Sequence, residues 1–278
     1  MKNFILTSTL FIGAFSFAQS KFAQLDQVLP TANSYRTASG APGHAYYQQK
    51  ADYKMNLVLD DNKQRLDGFE TITYTNNSPD RLDYLWLQLD QNIYDENSDT
   101  KLIEVEKMEN FKSVGDLRKR DFKYDGGFKI EQITSTSGQK LNYFINKTML
   151  RIDLAKPLLP GQSISFQIKW WYNINDRMQV GGRSGYEYFE TDQNYLYTIA
   201  QFFPRMCVYN DVTGWQNKQF LGRGEFTLPF GDYEVSLTVP ADHIVAATGE
   251  CQNYASILNA EQRKRYDLAK KSNSHLLS

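Results

Sequence analysis

Asp52–Thr75, DYKMNLVLDDNKQRLDGFETITYT, decides how the rest of the chain is read. Tyr53, Met55, Leu57 and Leu59 alternate with their neighbours, which is the period of a half-buried strand. The polar stretch DDNKQ, residues 60–64, then breaks the pattern, and a second strand pattern follows from Arg65 to Thr75. The segment therefore predicts an antiparallel hairpin.

Working outward, the same signs recur. Asn76–Asp80 (NNSPD) reads as a turn, and Leu82–Leu89 (LDYLWLQL) is apolar enough for a central strand. Strand patterns return at Phe128–Thr134, Leu141–Ile145 and Met149–Leu154. Pro157–Gly161 (PLLPG) reads as a turn, followed by a strand in which Ile164, Phe166, Ile168 and Trp170 alternate with polar residues. Tyr186–Phe189, Tyr195–Ala200, Glu225–Leu228, Tyr233–Val239 and Ile244–Ala247 complete the expected set. Residues 91–127 are charged and weakly periodic, which suits a long connection with one short helix. Only Ser256–Lys271 reads as helical, with Asn259-Ala260-Glu261-Gln262 opening a charged run. Many short strands with so few helices predict an all-β sandwich with a short helical C-terminal tail.

The first residues, MKNFILTSTLFIGAFSFAQS, combine one cation at Lys2, an apolar run from Phe4 to Phe17 and small residues at Ser16 and Ala18. That is the pattern of an export signal, with cleavage expected after Ala18, and the run is too short to read as a spanning helix. The chain is then expected in the periplasm or outside the cell, with no membrane insertion after cleavage. Its 31 basic and 32 acidic residues are mixed along the sequence, so no electrostatic footprint for nucleic acid exists. Cys207 and Cys251 could bridge in an oxidising compartment or stay as thiols, and spacing does not choose. His44, His243 and His275 stand too far apart for zinc-ligand spacing.

Several apparent motifs dissolve on inspection. Gly181–Gly185 (GGRSG) would need glycine at 186 to make a nucleophile elbow, and Tyr186 stands there, leaving a glycine-rich turn. Asn146-Lys147-Thr148 matches a glycosylation sequon, which carries little in a bacterial-type exported protein. Asp60-Asp61 and Asp95-Glu96 sit in turns, where a solvated surface is the default.

Gln201–Met206, QFFPRM, is different in kind. Pro204 fixes its own φ and biases Phe203 toward an extended conformation, so Gln201 and Phe202 approach a defined strand end. The Gln201 carboxamide could grasp a polar ligand group, Arg205 could hold a carboxylate, and Trp215 could cover a groove wall. On residues alone, Phe202, Phe203 and Trp215 can equally be ordinary core and Arg205 a structural ion-pair partner.

Tyr47–Pro79 (YQQKADYKMNLVLDDNKQRLDGFETITYTNNSP), YLWLQLDQN, QFFPRMCVYNDVTGW and LGRGEFTLPFGDYEVSLTVPADHIVAATGE together resemble the N-terminal domain of exported bacterial M1-family zinc aminopeptidases. The resemblance runs over most of residues 45–252, and its last two segments are the most specific. It implies a saddle-shaped β-sandwich packed against a separate catalytic domain of the same polypeptide. It also implies that Gln201, in the segment matching AQFFPRM, binds the free α-amine of a peptide substrate, with Phe202 and Arg205 as weaker members of the site.

The family's zinc ligands and general base come from His-Glu-x-x-His and a downstream Glu, and its further amine contact from Gly-x-Met-Glu-Asn. No His-Glu-x-x-His occurs in these 278 residues. Met108-Glu109-Asn110 matches three letters of the amine motif, with Glu106 where glycine is expected and on the wrong side of QFFPRM. Zinc is thus expected in the whole enzyme and not on this chain, which alone should be inactive and should expose an apolar docking face. The organisation expected is a signal peptide at 1–18, an extended leader at 19–44, the sandwich at 45–252, and a linker or the start of a further element at 253–278. The competing reading is a free-standing exported β-sandwich that binds peptide or glycan through its aromatics.

Overall fold

The computed structural model describes residues 31–103, 124–224 and 226–272. The expected signal segment and the leader up to residue 30 lie outside the described residues, as do residues 104–123 of the long connection. The chain divides into two compact units, Met1–Thr238 and Val239–Ser278.

The first unit is an all-β sandwich. The opening hairpin is β1 (Lys50–Asp60) and β2 (Arg65–Thr75), paired antiparallel along their full length from Lys50↔Thr75 to Asp60↔Arg65. β3 (Leu82–Gln88) leads into a 3-10 turn at Asp90–Tyr94 and a short helix, α1 (Asp99–Ile103). Then come β4 (Lys129–Ser135), β5 (Asn142–Asn146), β6 (Met149–Leu158) and β7 (Ser163–Asn173). After α2 (Arg177–Val180) the hairpin β8 (Gly185–Phe189) and β9 (Asn194–Thr198) precedes three two-residue strands. These are β10 (Arg205–Met206), β11 (Tyr209–Asn210) and β12 (Gly214–Trp215), followed by β13 (Tyr233–Thr238).

Two sheets carry the core. One has five strands in the order β13-β1-β2-β7-β4, the other four in the order β10-β3-β6-β5. The alternation predicted for β1 is realised, with Tyr53, Met55 and Leu57 buried and Leu59 packed at the margin. From β7, Phe166, Ile168, Trp170 and Tyr172 enter the same cluster, where they meet Leu85 and Leu87 of β3 and Leu150 and Ile152 of β6. Burying side chains of this size stabilises by roughly 1.5–3 kcal/mol each before conformational entropy is counted. Gly68 is required by this packing, because a Cβ there would overlap the indole of Trp170.

Three local expectations fail, each for a physical reason. Pro157 lies inside β6 and not in a turn. It falls where the β3–β6 ladder is irregular and beyond the last β5 partner at Asp153, so its missing N–H breaks no pairing. Phe226–Leu228, within the expected strand Glu225–Leu228, and Ile244–Ala247 form no strand. Their apolar spacing suits a strand, but without a neighbouring strand to receive their N–H and C=O groups it specifies nothing.

β13 runs parallel to β1 in register Tyr53↔Tyr233, Met55↔Val235 and Leu57↔Leu237. It is the edge of its sheet among the described residues. Tyr233, Val235 and Leu237 share a face with the core row of β1, yet all three are exposed, as is Phe230 just before them. The first described stretch is fastened separately: Arg36 donates through Nε and Nη2 to the two carboxylate oxygens of Asp211, both at 2.8 Å.

In the second unit, α3 (Tyr254–Ile257) and α4 (Ala260–Lys271) follow irregular chain. Asn259 Oδ1 accepts from Gln262 N at 2.9 Å and Gln262 Oε1 accepts from Asn259 N at 3.0 Å, a reciprocal cap that starts α4 at Ala260, inside the stretch from Ser256 expected to be helical. Among the described residues no helix is long and apolar enough to cross a membrane. Cys207 and Cys251 are free thiols, and Cys207 is buried.

One core position opposes the fold. Glu70 of β2, opposite Met55 and Ile168, is fully buried, and neither carboxylate oxygen has a hydrogen-bond partner among the described residues. Burial pushes its carboxyl well above the ordinary 4.5. The folded chain therefore holds this proton to a higher pH than the unfolded chain does. Stability is full below the ordinary value and falls as pH rises through the folded one. Glu70→Met is expected to raise stability at pH 7 by about 1–3 kcal/mol. It should also flatten the decline between pH 5 and pH 8. Thermal melts across that range check both, and superimposable profiles for the two proteins would refute the account.

Candidate functional site

The site grows from the end of β3. Here the chain leaves an apolar strand for the 3-10 turn, and Gln88, Asp90, Gln91 and Asn92 are all buried although polar. Buried polar groups need partners, and these side chains reach for other loops to find them. Asn92 Oδ1 accepts from Phe128 N at 2.8 Å and its Nδ2 donates to the Lys147 carbonyl at 2.7 Å. Gln91 Nε2 donates to two successive carbonyls, Ala200 at 3.1 Å and Gln201 at 3.0 Å. Ser184 secures the same stretch, its Oγ donating to the Ala200 carbonyl and accepting from Ala200 N, both at 2.8 Å.

Asp90 is held by Arg205 in a fork, Nε to Oδ2 at 2.9 Å and Nη2 to Oδ1 at 2.7 Å, with Gln88 Nε2 donating to Oδ1 at 2.6 Å. Burial is the largest influence on the Asp90 carboxyl and raises its pKa, while the Arg205 charge and hydrogen bond pull the other way without prevailing. Desolvation thus outweighs attraction. The pair is better understood as fixing the position of β10 beside β3, at Arg205↔Gln88 and Met206↔Leu87, than as a source of net stability. The far side of β10 is fixed by Tyr53, whose hydroxyl accepts from Met206 N at 2.9 Å, and whose ring meets Phe203 edge-on at 5.3 Å.

Gln201 stands between these anchors with φ at +52°. A left-handed backbone costs a side-chain-bearing residue about 1–2 kcal/mol. With Gln88, Arg183, Arg205, Phe220 and Phe226 it lines a recess of about 140 Å³. Its carboxamide makes no hydrogen bond to the described residues.

The structure thus brings Gln201 and Arg205 together but leaves Phe202 out. Phe202 packs on the core, 5.0 Å from the ring of Phe203, and Trp215 packs against Tyr74 and Tyr209 instead of walling a groove. Arg205 takes its structural alternative, with two of its donors engaged by Asp90. Sequence reading missed Gln88, Asp90 and Gln91. The signal available was the run LDQN, polar residues directly after the most apolar strand of the chain.

Among the described residues no three His, Cys, Asp or Glu side chains stand close enough together to hold a metal ion. The described residues do not fit a zinc centre.

The chain matches no family model and no curated protein. Among solved structures it is similar to the M1 zinc metallopeptidase of Deinococcus radiodurans. One structure of it aligns at 15% identity and a TM-score of 0.38, covering 75% of this chain and 36% of that one. A mutant of that enzyme bound to a Tyr-Ser-Ala substrate aligns at 15% and 0.38, covering 73% and 35%. A mutant two-domain M1 zinc metallopeptidase bound to L-arginine aligns at 13% and 0.34, covering 74% and 37%. Alignments this loose decide nothing about activity. The chain spans little more than a third of the length of the structures it matches.

If the Asp90–Arg205 pair fixes position at an electrostatic cost, breaking one side should be worse than removing both. Arg205→Met leaves a buried carboxylate without its cation and is expected to lose about 3–5 kcal/mol. Asp90→Asn together with Arg205→Met should recover at least half of that loss. Urea unfolding of the two variants measures it, and a double variant as unstable as the single one would show the pair to be net stabilising.

Proposed function

We propose that residues 45–252 are the substrate-positioning domain of an exported M1-type zinc aminopeptidase, acting beside a catalytic domain of the same polypeptide that carries the zinc. The observation that carries this reading is Gln201. A strained residue presents, in a recess, a carboxamide without a partner among the described residues, and part-buried hydrogen bonds to the carbonyls on both sides of it hold the strain. The resemblance of the segment AQFFPRM assigns that position to the α-amine of a peptide.

The chemistry is consistent. An ammonium brings three donors, and the carboxamide oxygen of Gln201 accepts one of them in a charge-assisted bond of about 1.5–3 kcal/mol. Asp90 neutralises Arg205, so the amine meets this oxygen and not an uncompensated guanidinium. The remaining acceptors have to come from the opposite wall of the cleft, which makes this half of the site a positioning element without catalytic groups of its own. The same reading has the catalytic domain cover the apolar row on β13. A free-standing binder of peptide or glycan would use Phe202 and Trp215 as its platform, and both are packed against the core.

In the polypeptide that joins this domain to its catalytic partner, Gln201→Ala is expected to lower kcat/KM for substrates with a free amino terminus by about tenfold or more. N-blocked analogues should gain nothing from Gln201. An unchanged kcat/KM would remove Gln201 from the site. Chelator-sensitive aminopeptidase activity in the 278-residue chain alone would overturn the division of labour itself.

A further inference from the structure

We infer that Gln91 is the positioning residue for Gln201, dictating the backbone geometry from which its carboxamide enters the recess. The inference rests on the reading of Gln201 as the ligand-contacting group, but its geometric content can be tested without it.

One donor group, Gln91 Nε2, lies within 3.1 Å of both the Ala200 and the Gln201 carbonyl oxygens. These two carbonyls flank Gln201, so its φ and ψ determine how they point relative to one another. In an extended residue successive peptide groups face opposite ways, and a single donor cannot serve both. In a helical conformation of either hand they face the same way. The double contact therefore excludes an extended conformation at Gln201. Gln201 is held instead at φ +52°.

Ser184 clamps only Ala200 and cannot impose this choice.

Two further features mark Gln91 as more than a stabilising contact. Its amide cannot be turned round, because its oxygen would then face two carbonyl oxygens. In the orientation it must adopt, that oxygen is buried and has no partner among the described residues. An unpaired buried acceptor costs about 1–3 kcal/mol. A residue chosen for stability alone would not carry this cost, whereas one that has to place two donors on two neighbouring carbonyls has no alternative. Its neighbour Asp90, on the same 3-10 turn, anchors Arg205 at the other end of QFFPR. One short turn thus holds both ends of the segment that carries the contact residue.

The test compares Gln91→Leu with Ser184→Ala, each removing hydrogen bonds to the same stretch. In isotope-labelled protein, the three-bond amide-to-Hα coupling of Gln201 reports φ directly. Gln91→Leu is expected to move that coupling and the Gln201 side-chain amide resonances, with core resonances in β1, β2 and β7 unchanged. Ser184→Ala should lower the melting temperature without moving them. Gln91→Met serves in the same role should the leucine variant fail to fold. A lowered melting temperature with an unmoved Gln201 coupling would make Gln91 merely structural and overturn the inference.

In the active polypeptide, Gln91→Leu should reduce kcat/KM by about tenfold, and by much less in a Gln201→Ala background, because the two act through one contact. A moved coupling without a loss of activity would leave Gln91 as the positioning residue and discard the aminopeptidase reading.

Discussion

The forked pair between Asp90 and Arg205 is the constraint on which the rest of the recess depends. It joins a turn at the end of β3 to a two-residue strand 115 positions later, across a stretch too short and too irregular to hold itself in place. Around it the chain spends buried polar side chains freely: Gln88 supports the carboxylate, Gln91 holds Ala200 and Gln201, and Asn92 holds Phe128 and Lys147. None of these contacts is strong once desolvation is counted. Together they leave few ways for the QFFPRM segment to lie, and such networks contribute more to uniqueness than to free energy.

The division between what the sequence disclosed and what it concealed follows the range of the interactions. The hairpin of β1 and β2, the core row of β7 and the helical tail that holds α4 are legible because they rest on spacing and on neighbours in the chain. β10, β11 and β12 are not, since two residues cannot display a period; β10 exists only because the distant β3 receives it, and β11 and β12 have only each other. The expected strand Glu225–Leu228, in its described residues, and the expected strand Ile244–Ala247 show the converse, a pattern without a neighbour.

The site shows the same split. Gln201 was visible as an amide set before a rigid Phe-Pro, but its departure from an extended backbone was not, because the contact that excludes an extended geometry comes from Gln91, 110 positions earlier. Arg205 was visible as a cation with two possible employments, and only the position of Asp90 decides between them. Glu70 was not legible at all. It occupies an inward position of β2 that pattern alone would assign to an apolar residue, and nothing in its immediate sequence distinguishes it from the solvent-facing acids nearby.

The parallel pairing of β1 with β13 carries a consequence for how the protein is made. Tyr53 and Tyr233 lie side by side in the finished sheet but 180 positions apart along the chain. At about 5–20 residues per second, a ribosome needs on the order of 10–40 s to deliver the second after the first. Throughout that interval the outer edge of β1 stays open, with its N–H and C=O groups available to any other nascent strand. The last strand of the sandwich is also its seal, so the yield of correctly folded chain should be set by synthesis rate and crowding as much as by the stability of the final state.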